Sequence, residues 1–200
     1  MSRVIRRCAL VAATAIFLSM TPAYAGQAEV VSGIVSEAST LRPGEFVWQP
    51  DRAQEGEVEI VVSVPLQRAF VYRGGTLIGV TTVSTGRRGH ETPVGTFSIL
   101  QKRREHYSNL YNNAPMPFMQ RLTWDGVALH AGQIPGRPAS HGCVRLPLAF
   151  ARLLFSATQM GGSVHITDVA PESPEIALAM VRGVGAYVGM GGPEEPMGGN

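Results

Sequence analysis

Cys143 follows two histidines in the stretch "ALHAGQIPGRPASHGCVRLP", residues 128–147. His130 precedes the cysteine by thirteen positions and His141 precedes it by two. The rest of the stretch is rich in Gly, Pro and Ser, which is typical of a loop. A thiol that follows two histidines so closely supports either nucleophilic catalysis or metal binding. The choice between catalysis and metal binding depends on the compartment of the protein and on the spacing of these residues.

The N-terminus predicts export. Arg3, Arg6 and Arg7 precede the apolar run "ALVAATAIFLSM", and "AYA" at 23–25 has the small-x-small pattern of a signal-peptidase site. The run is shorter than the roughly 20 residues of a membrane span. We therefore predict a signal peptide over residues 1–25, a periplasmic location in the cell envelope, and no stable membrane span after cleavage. An uncleaved N-terminal anchor is the alternative.

Cleavage changes the charge. Three of the seventeen basic residues precede the cleavage site and all fifteen acidic residues follow it, so the net charge falls from +2 to −1. A near-neutral chain has no basic footprint for nucleic acid, so nucleic-acid binding is not expected. The 175 residues that remain suffice for one sizeable core.

Cleavage also removes Cys8 and leaves Cys143 as a single thiol. An exported protein usually pairs its cysteines or lacks them, since an exposed thiol is open to oxidation and mispairing. A buried, inert cysteine that packs as a small hydrophobe is the plain alternative. The two neighbouring histidines favour a reactive thiol.

The spacing favours catalysis over metal binding. His130 ends a predicted strand, and the Gly/Pro loop after it returns the chain so that Cys143 can face His130. Gly142 allows a sharp turn, which predicts that its N–H and that of Cys143 form an oxyanion hole. A zinc site built from His130, His141 and Cys143 would follow no common ligand spacing, so no metal or other cofactor is expected.

The remaining pattern predicts a mostly β fold with one main helix packed on the sheet. A β-branched strand begins at Glu57, and a Gly74-Gly75 turn joins the next two strands. The other predicted elements are a strand "TPVGTFSILQK", a hairpin from "FMQRLTW" and "VALH", a helix "PLAFARLLFSATQM" with Pro147 at its first position, and a last strand "SVHITDV".

Three segments flank or interrupt this pattern. Residues 26–56 are predicted to be an N-terminal extension or linker with one docked piece around "FVWQP", and residues 169–200 a C-terminal segment with a short helix and a disordered tail. The long loop 104–117, with Tyr107 and Tyr111, predicts a lid or one wall of a groove. A surface loop whose tyrosines only pack locally is the alternative. The three histidines outside the opening stretch are expected to have no role in a site: His90, His106 and His165.

The motif "SHGCVR", residues 140–145, with a histidine at a preceding strand end, resembles the signature of the L,D-transpeptidase catalytic domain. Upstream, "VVSVPLQRAFVYRGG" and "VSTGRRGHETPVGTFSI" resemble the N-terminal strands of that family. The resemblance covers residues 57–168 and implies the β-sandwich or barrel of the family with its single main helix.

The resemblance implies an enzyme that remodels bacterial peptidoglycan. Cys143 matches the nucleophile and His130 the general base, whereas the positions that match the substrate and oxyanion side are Ser140, His141, Gly142 and Arg145. Many members have Asn where Arg145 stands, which leaves its substrate contacts open. For His141, a loop-fixing hydrogen bond and a substrate contact both remain open.

The implied reaction is acyl transfer through a thioester. Cys143 attacks the carbonyl between the L-centre of a diamino acid and the terminal D-alanine of a tetrapeptide stem, and an amine then resolves the thioester. The partners are peptidoglycan stem peptides, with a cell-wall-linked protein as another candidate acceptor. The alternatives are hydrolysis or editing of the same bonds, and an inactive cell-wall-binding module.

Overall fold

The computed structural model describes residues 40–109 and 112–183, which form two β-sheets, two α-helices and a short 3-10 helix at Pro50–Arg52. The mostly β architecture is confirmed. The predicted signal peptide, residues 26–39 of the extension, Tyr111 and the predicted tail after residue 183 lie outside the described residues. The strands are β1 Phe46–Trp48, β2 Val58–Ser63, β3 Arg68–Arg73, β4 Thr76–Thr82, β5 Gly95–Ser98, β6 Gln101–Arg103, β7 Met119–Arg121, β8 Ala128–Ala131, β9 Val144–Leu146 and β10 Ser163–Thr167, and the helices are α1 Leu148–Ala157 and α2 Pro174–Val181.

The larger sheet has six strands in the order β1-β4-β3-β2-β10-β5. Its central strand β2 is buried on both faces, which explains its near-continuous apolar sequence. Ile60 and Val62 face the main core, whereas Val61 packs under α2 with Ala177 and Leu178. The segment around "FVWQP" enters this sheet, since β1 pairs with the edge of β4.

The smaller sheet has four strands in the order β6-β7-β8-β9. A turn at Asp125-Gly126 joins β7 to β8, with φ of Gly126 at +119°, and β9 lies parallel to β8. The main core lies between the two sheets and α1, which contributes Phe150, Ala151 and Leu154.

Helix α1 is shorter than predicted at both ends. Pro147 is the N-cap rather than the first helical residue, and the helix ends at Ala157. Lys102 caps this end, since its Nζ donates to the carbonyl oxygens of Phe155 and Thr158 at 2.6 Å each. A cation at the C-terminal carbonyls stabilises a helix end.

The single strand predicted for "TPVGTFSILQK" is wrong. The segment divides into β5 in the larger sheet and β6 in the smaller one. Between them, the Ile99 N–H donates to Gly162 O and the Leu100 N–H donates to Arg121 O, so consecutive residues bond to different sheets. The fully buried Ile99 side chain fills the core at this crossing.

Within the described residues, no helix has the length and apolar character that a membrane crossing requires.

Candidate active site

Strands β8 and β9 place His130 and Cys143 on one face of the smaller sheet. In this parallel pair Leu129 is opposite Val144 and His130 is opposite Arg145. Side chains alternate between the faces of a sheet, so Cys143, two residues before Arg145, lies on the same face as His130. The opposite face packs into the main core through Leu129, Ala131, Val144 and Leu146.

This face forms the floor of a cavity of about 760 Å³. Five of the six predicted site residues line it: His130, Ser140, His141, Cys143 and Arg145. The loop before β7 and the β7–β8 turn supply walls, which include His106, Ser108, Asn109, Pro115, Trp124 and Asp125. The volume is in the range of small-molecule sites in proteins.

Gly142 is the predicted site residue that does not line the cavity. Its φ of +113° lies in a region that favours glycine, while the space for a Cβ is open, the nearest atom being Glu91 O at 3.9 Å. Its N–H donates to Ser140 Oγ at 3.2 Å, and that hydroxyl donates to Cys143 O at 2.5 Å. The amide predicted for the oxyanion hole is therefore engaged within the loop in the resting structure.

Residues 85–92, which precede β5, form hydrogen bonds with the loop that contains Gly142. Thr92 Oγ1 donates to Gly142 O at 2.9 Å and accepts from the Gly86 N–H at 2.8 Å. The Thr85 carbonyl accepts from the Ser140 N–H at 3.0 Å. Thr92 was not singled out from the sequence as a functional residue, although it begins "TPVGTF", one of the motifs that resemble the family.

The proton positions on His130 follow from one hydrogen bond. Nδ1 lies 2.8 Å from Ala131 O, and because a carbonyl oxygen only accepts, Nδ1 carries the proton and Nε2 the lone pair. Burial lowers the pKa of His130 to about 4, against the opposing effect of this hydrogen bond. His130 is therefore a neutral imidazole at pH 7.

The Cys143 thiol is protonated at rest. Burial raises its pKa, while the Ala128 N–H and the guanidinium groups of Arg145 and Arg121 act in the opposite direction. The thiol donates to Gly126 O at 3.3 Å. A neutral imidazole and a neutral thiol that line one cavity fit the resting state of a general-base pair rather than of a thiolate–imidazolium pair.

His141 contacts two residues of the same segment, 85–92. The Arg87 guanidinium donates to His141 Nε2 at 2.7 Å, and the His90 ring packs edge-on against the His141 ring at 4.8 Å between centroids. Desolvation and the Arg87 charge lower the pKa of His141. No role in the site was expected for His90 from its sequence position, but its ring packs against a cavity residue.

Two cavity residues were missed from the sequence. Arg121 lines the cavity from β7 and His106 from the loop before it. The lid prediction is wrong for Tyr107, whose side chain is half exposed and outside the lining, whereas its neighbours His106 and Ser108 line the cavity. The alternation of β7 was the available signal for Arg121, since it places this residue on the face of Ala128.

No group of three or more His, Cys, Asp or Glu side chains in residues 40–109 and 112–183 is arranged to hold a metal ion. The His130, His141 and Cys143 set therefore gains no support from the geometry as a zinc site.

The site geometry agrees with a comparison of the sequence with family models. The YkuD model, which describes the L,D-transpeptidase catalytic domain, matches residues 57–166, more than half of the chain. The chain belongs to this family. No curated protein matches the sequence.

Solved L,D-transpeptidase structures share the fold. One from Stackebrandtia nassauensis is 28% identical, with a TM-score of 0.53 over 60% of this chain and 61% of that chain. One from Mycobacterium tuberculosis H37Rv is 24% identical, with a TM-score of 0.53 over 55% and 57%. L,D-transpeptidase 3 from Mycobacterium tuberculosis, in complex with a faropenem-derived adduct, is 23% identical, with a TM-score of 0.51 over 55% and 60%. The chain spans about three fifths of the length of these relatives.

Proposed function

We propose that this L,D-transpeptidase family member cross-links peptidoglycan by acyl transfer, with Cys143 as nucleophile and His130 as general base. The observation that supports this most directly is the placement of both side chains on one face of adjacent strands, in a cavity that they line together. The neutral imidazole and its Nε2 lone pair suit His130 to take a proton from the thiol.

In the first half-reaction, Sγ bonds to the carbonyl carbon between the L-centre of the diamino acid and the terminal D-alanine. The thiol proton passes to His130 Nε2. When the carbon–nitrogen bond breaks, this proton passes to the leaving amine, and D-alanine departs. The product is a thioester on Cys143.

The tetrahedral intermediate carries a negative oxygen that needs donors. We assign this role first to the Cys143 N–H, because the Gly142 N–H donates to Ser140 Oγ at rest. The Gly142 amide joins it when bound substrate draws the Ser140 hydroxyl away. Ser140 and Gly142 thus act on the oxyanion side, while His141 and Arg145 contact the stem peptide from the cavity wall.

In the second half-reaction, an amine of another stem peptide loses a proton to His130 and attacks the thioester. Sulfur leaves as the thiolate and regains the proton. A cell-wall-linked protein could supply the amine instead, and water in place of the amine gives hydrolysis. The thiol and the imidazole supply the nucleophile and the proton transfers, so the reaction needs no cofactor.

The test is to incubate peptidoglycan with native protein or with Cys143→Ala and to profile the muropeptides. Native protein should produce new cross-linked species and free D-alanine, and Cys143→Ala should produce neither. Shortened stems without cross-links would establish hydrolysis instead. Folded native protein that leaves the muropeptides unchanged, and whose Cys143 gains no mass with a penem such as faropenem, would contradict the proposal in favour of an inactive binding module.

The location is part of the same proposal. A peptidoglycan enzyme must reach the cell wall, and residues 1–25 would direct this chain to the periplasm. Residues 57–168 would then act as the catalytic domain between the extension 26–56 and the C-terminal segment 169–200. N-terminal sequencing of the exported protein should begin at Gly26, whereas a retained Met1 would establish the membrane anchor.

A further inference from the structure

Arg121 shares a row with the nucleophile. In β7 and β8 it is opposite Ala128, and Ala128 precedes Leu129, whose partner on β9 is Val144. The register therefore places Arg121, Ala128 and Cys143 side by side across three strands. Two strand spacings of roughly 4.8 Å separate the Cα atoms of Arg121 and Cys143 by about 10 Å. Ala128, between them, is buried and lines the cavity.

The Arg121 guanidinium is held in place by neighbours from three elements. Its Nε donates to Gln101 Oε1 on β6 at 3.2 Å, and one terminal nitrogen lies 3.5 Å from His106 Nε2 in the loop before β7. The group also lies over the Trp124 ring, 5.8 Å from its centroid. A guanidinium with its orientation fixed in this way loses little entropy when it binds a planar anion.

Arg121 has no anionic partner of its own. In the part of the chain that the structure describes, no carboxylate lies within ion-pair distance of it. A guanidinium has five N–H donors, and carboxylates match its geometry with two parallel hydrogen bonds. A fixed, unpaired guanidinium that lines a cavity beside the nucleophile fits a carboxylate on the substrate.

The order of the strands decides which carboxylate this is. Cys143 lies at the start of β9, His130 on the middle strand β8, and Arg121 on β7. The attacked carbonyl must lie at Cys143, and the leaving nitrogen must lie near His130 to receive its proton. A leaving residue that continues in this direction extends toward β7, and its carboxylate carbon is only three bonds from the attacked carbon. Arg145 lies on β9 directly opposite His130, on the side of His130 away from β7.

We infer that Arg121 binds the terminal carboxylate of the leaving residue and thereby selects acyl donors that end one residue after the attacked carbonyl. This specificity role rests on the proposed function. It predicts that a donor with a carboxamide at its terminus is a poor substrate, because the neutral amide leaves the guanidinium without its anion.

The test compares two tetrapeptide donors, one with a terminal carboxylate and one with a terminal carboxamide. Native protein should favour the carboxylate in kcat/KM by roughly tenfold to a hundredfold, as expected for loss of a charge-assisted hydrogen bond. Arg121→Gln should bring the ratio near one, chiefly by raising KM for the carboxylate donor, and Arg121→Lys should give an intermediate ratio. Arg152→Gln, an exposed arginine on α1, should keep the native ratio.

Alkylation of Cys143 by iodoacetamide at the native rate shows that each variant retains a folded site. A native ratio in folded Arg121→Gln would overturn the inference, as would loss of the ratio in Arg145→Gln but not in Arg121→Gln. Both of these leave the proposed function intact. Native protein that turns over neither donor and gains no mass with faropenem would instead refute the proposed function, and the role of Arg121 would fall with it.

Discussion

The His130 imidazole and the Cys143 thiol face one cavity from adjacent parallel strands, and burial favours the neutral form of both. A thiolate–imidazolium pair would need the opposite shifts, with the thiol pKa below that of the imidazole. For the proposed reaction, this predicts that proton transfer accompanies the attack rather than preceding it.

The pH dependence of activity should reflect this order. The profile of kcat/KM reports the free enzyme, so protonation of His130 should produce an acid limb near pH 4 rather than near pH 6.5. Cys143 should react slowly with iodoacetamide at pH 7, with a rate that rises as the pH passes its raised pKa. Stopped assays from pH 3.5 to 10 test both. Rapid alkylation at pH 6 would show a preformed thiolate and contradict this arrangement.

Stability should also depend on His130. Its pKa is about 4 in the folded state and 6.5 for an unperturbed histidine, so the unfolded chain binds more protons between these limits. This contribution to stability is therefore complete well above pH 6.5 and is lost as the pH falls toward 4, by roughly 1.5 kcal/mol between pH 6.5 and 5. Urea unfolding of native protein and His130→Gln at several pH values isolates this contribution. If the free energy of unfolding depends on pH equally in the two proteins, His130 has the same pKa in the folded and unfolded states.

The turn before the nucleophile should tolerate only glycine. Gly142→Ala forces a side chain into a φ of +113°, at a cost of roughly 1–3 kcal/mol, although space is available for the methyl group. Relief of this strain moves Cys143, so turnover should fall by more than tenfold while the core remains folded. Gly161→Ala is the matched control, with φ +83°, open space and a position outside the cavity. It should lose similar stability but keep its activity, and equal losses of activity would rule out a local effect at Gly142.

The sequence was sufficient for the mostly β fold, and it predicted a strand-end His130 with Cys143 brought back toward it by the loop between them. Local patterns account for this, because a β-branched run, a Gly-Gly turn and a strand-end histidine are each visible within a few residues. The division of "TPVGTFSILQK" between two sheets was not predictable in this way. It depends on hydrogen bonds from Ile99 and Leu100 to residues far along the chain.

The same limit applies to the site. Arg121 is one of seventeen basic residues in the sequence, and only the register of β7 with β8 and β9 places it in the row of Cys143. The protonation states of His130 and Cys143 could not be predicted from the sequence either. They depend on burial by the cavity walls and on the Ala131 carbonyl, whose effect on a neighbouring histidine requires the three-dimensional geometry.

The last prediction concerns the Thr92 hydroxyl, which hydrogen-bonds both to Gly142, in the loop before Cys143, and to Gly86. Thr92→Val keeps the shape but leaves Gly142 O and the Gly86 N–H without this buried partner, at a cost of roughly 1–3 kcal/mol for each group. We expect a lower melting temperature and, because Gly142 precedes Cys143, slower acylation by the donor. Thr92→Ser retains the hydroxyl and should restore most of the acylation rate. If serine restores neither rate nor stability, the methyl group rather than the hydrogen bonds supports the loop.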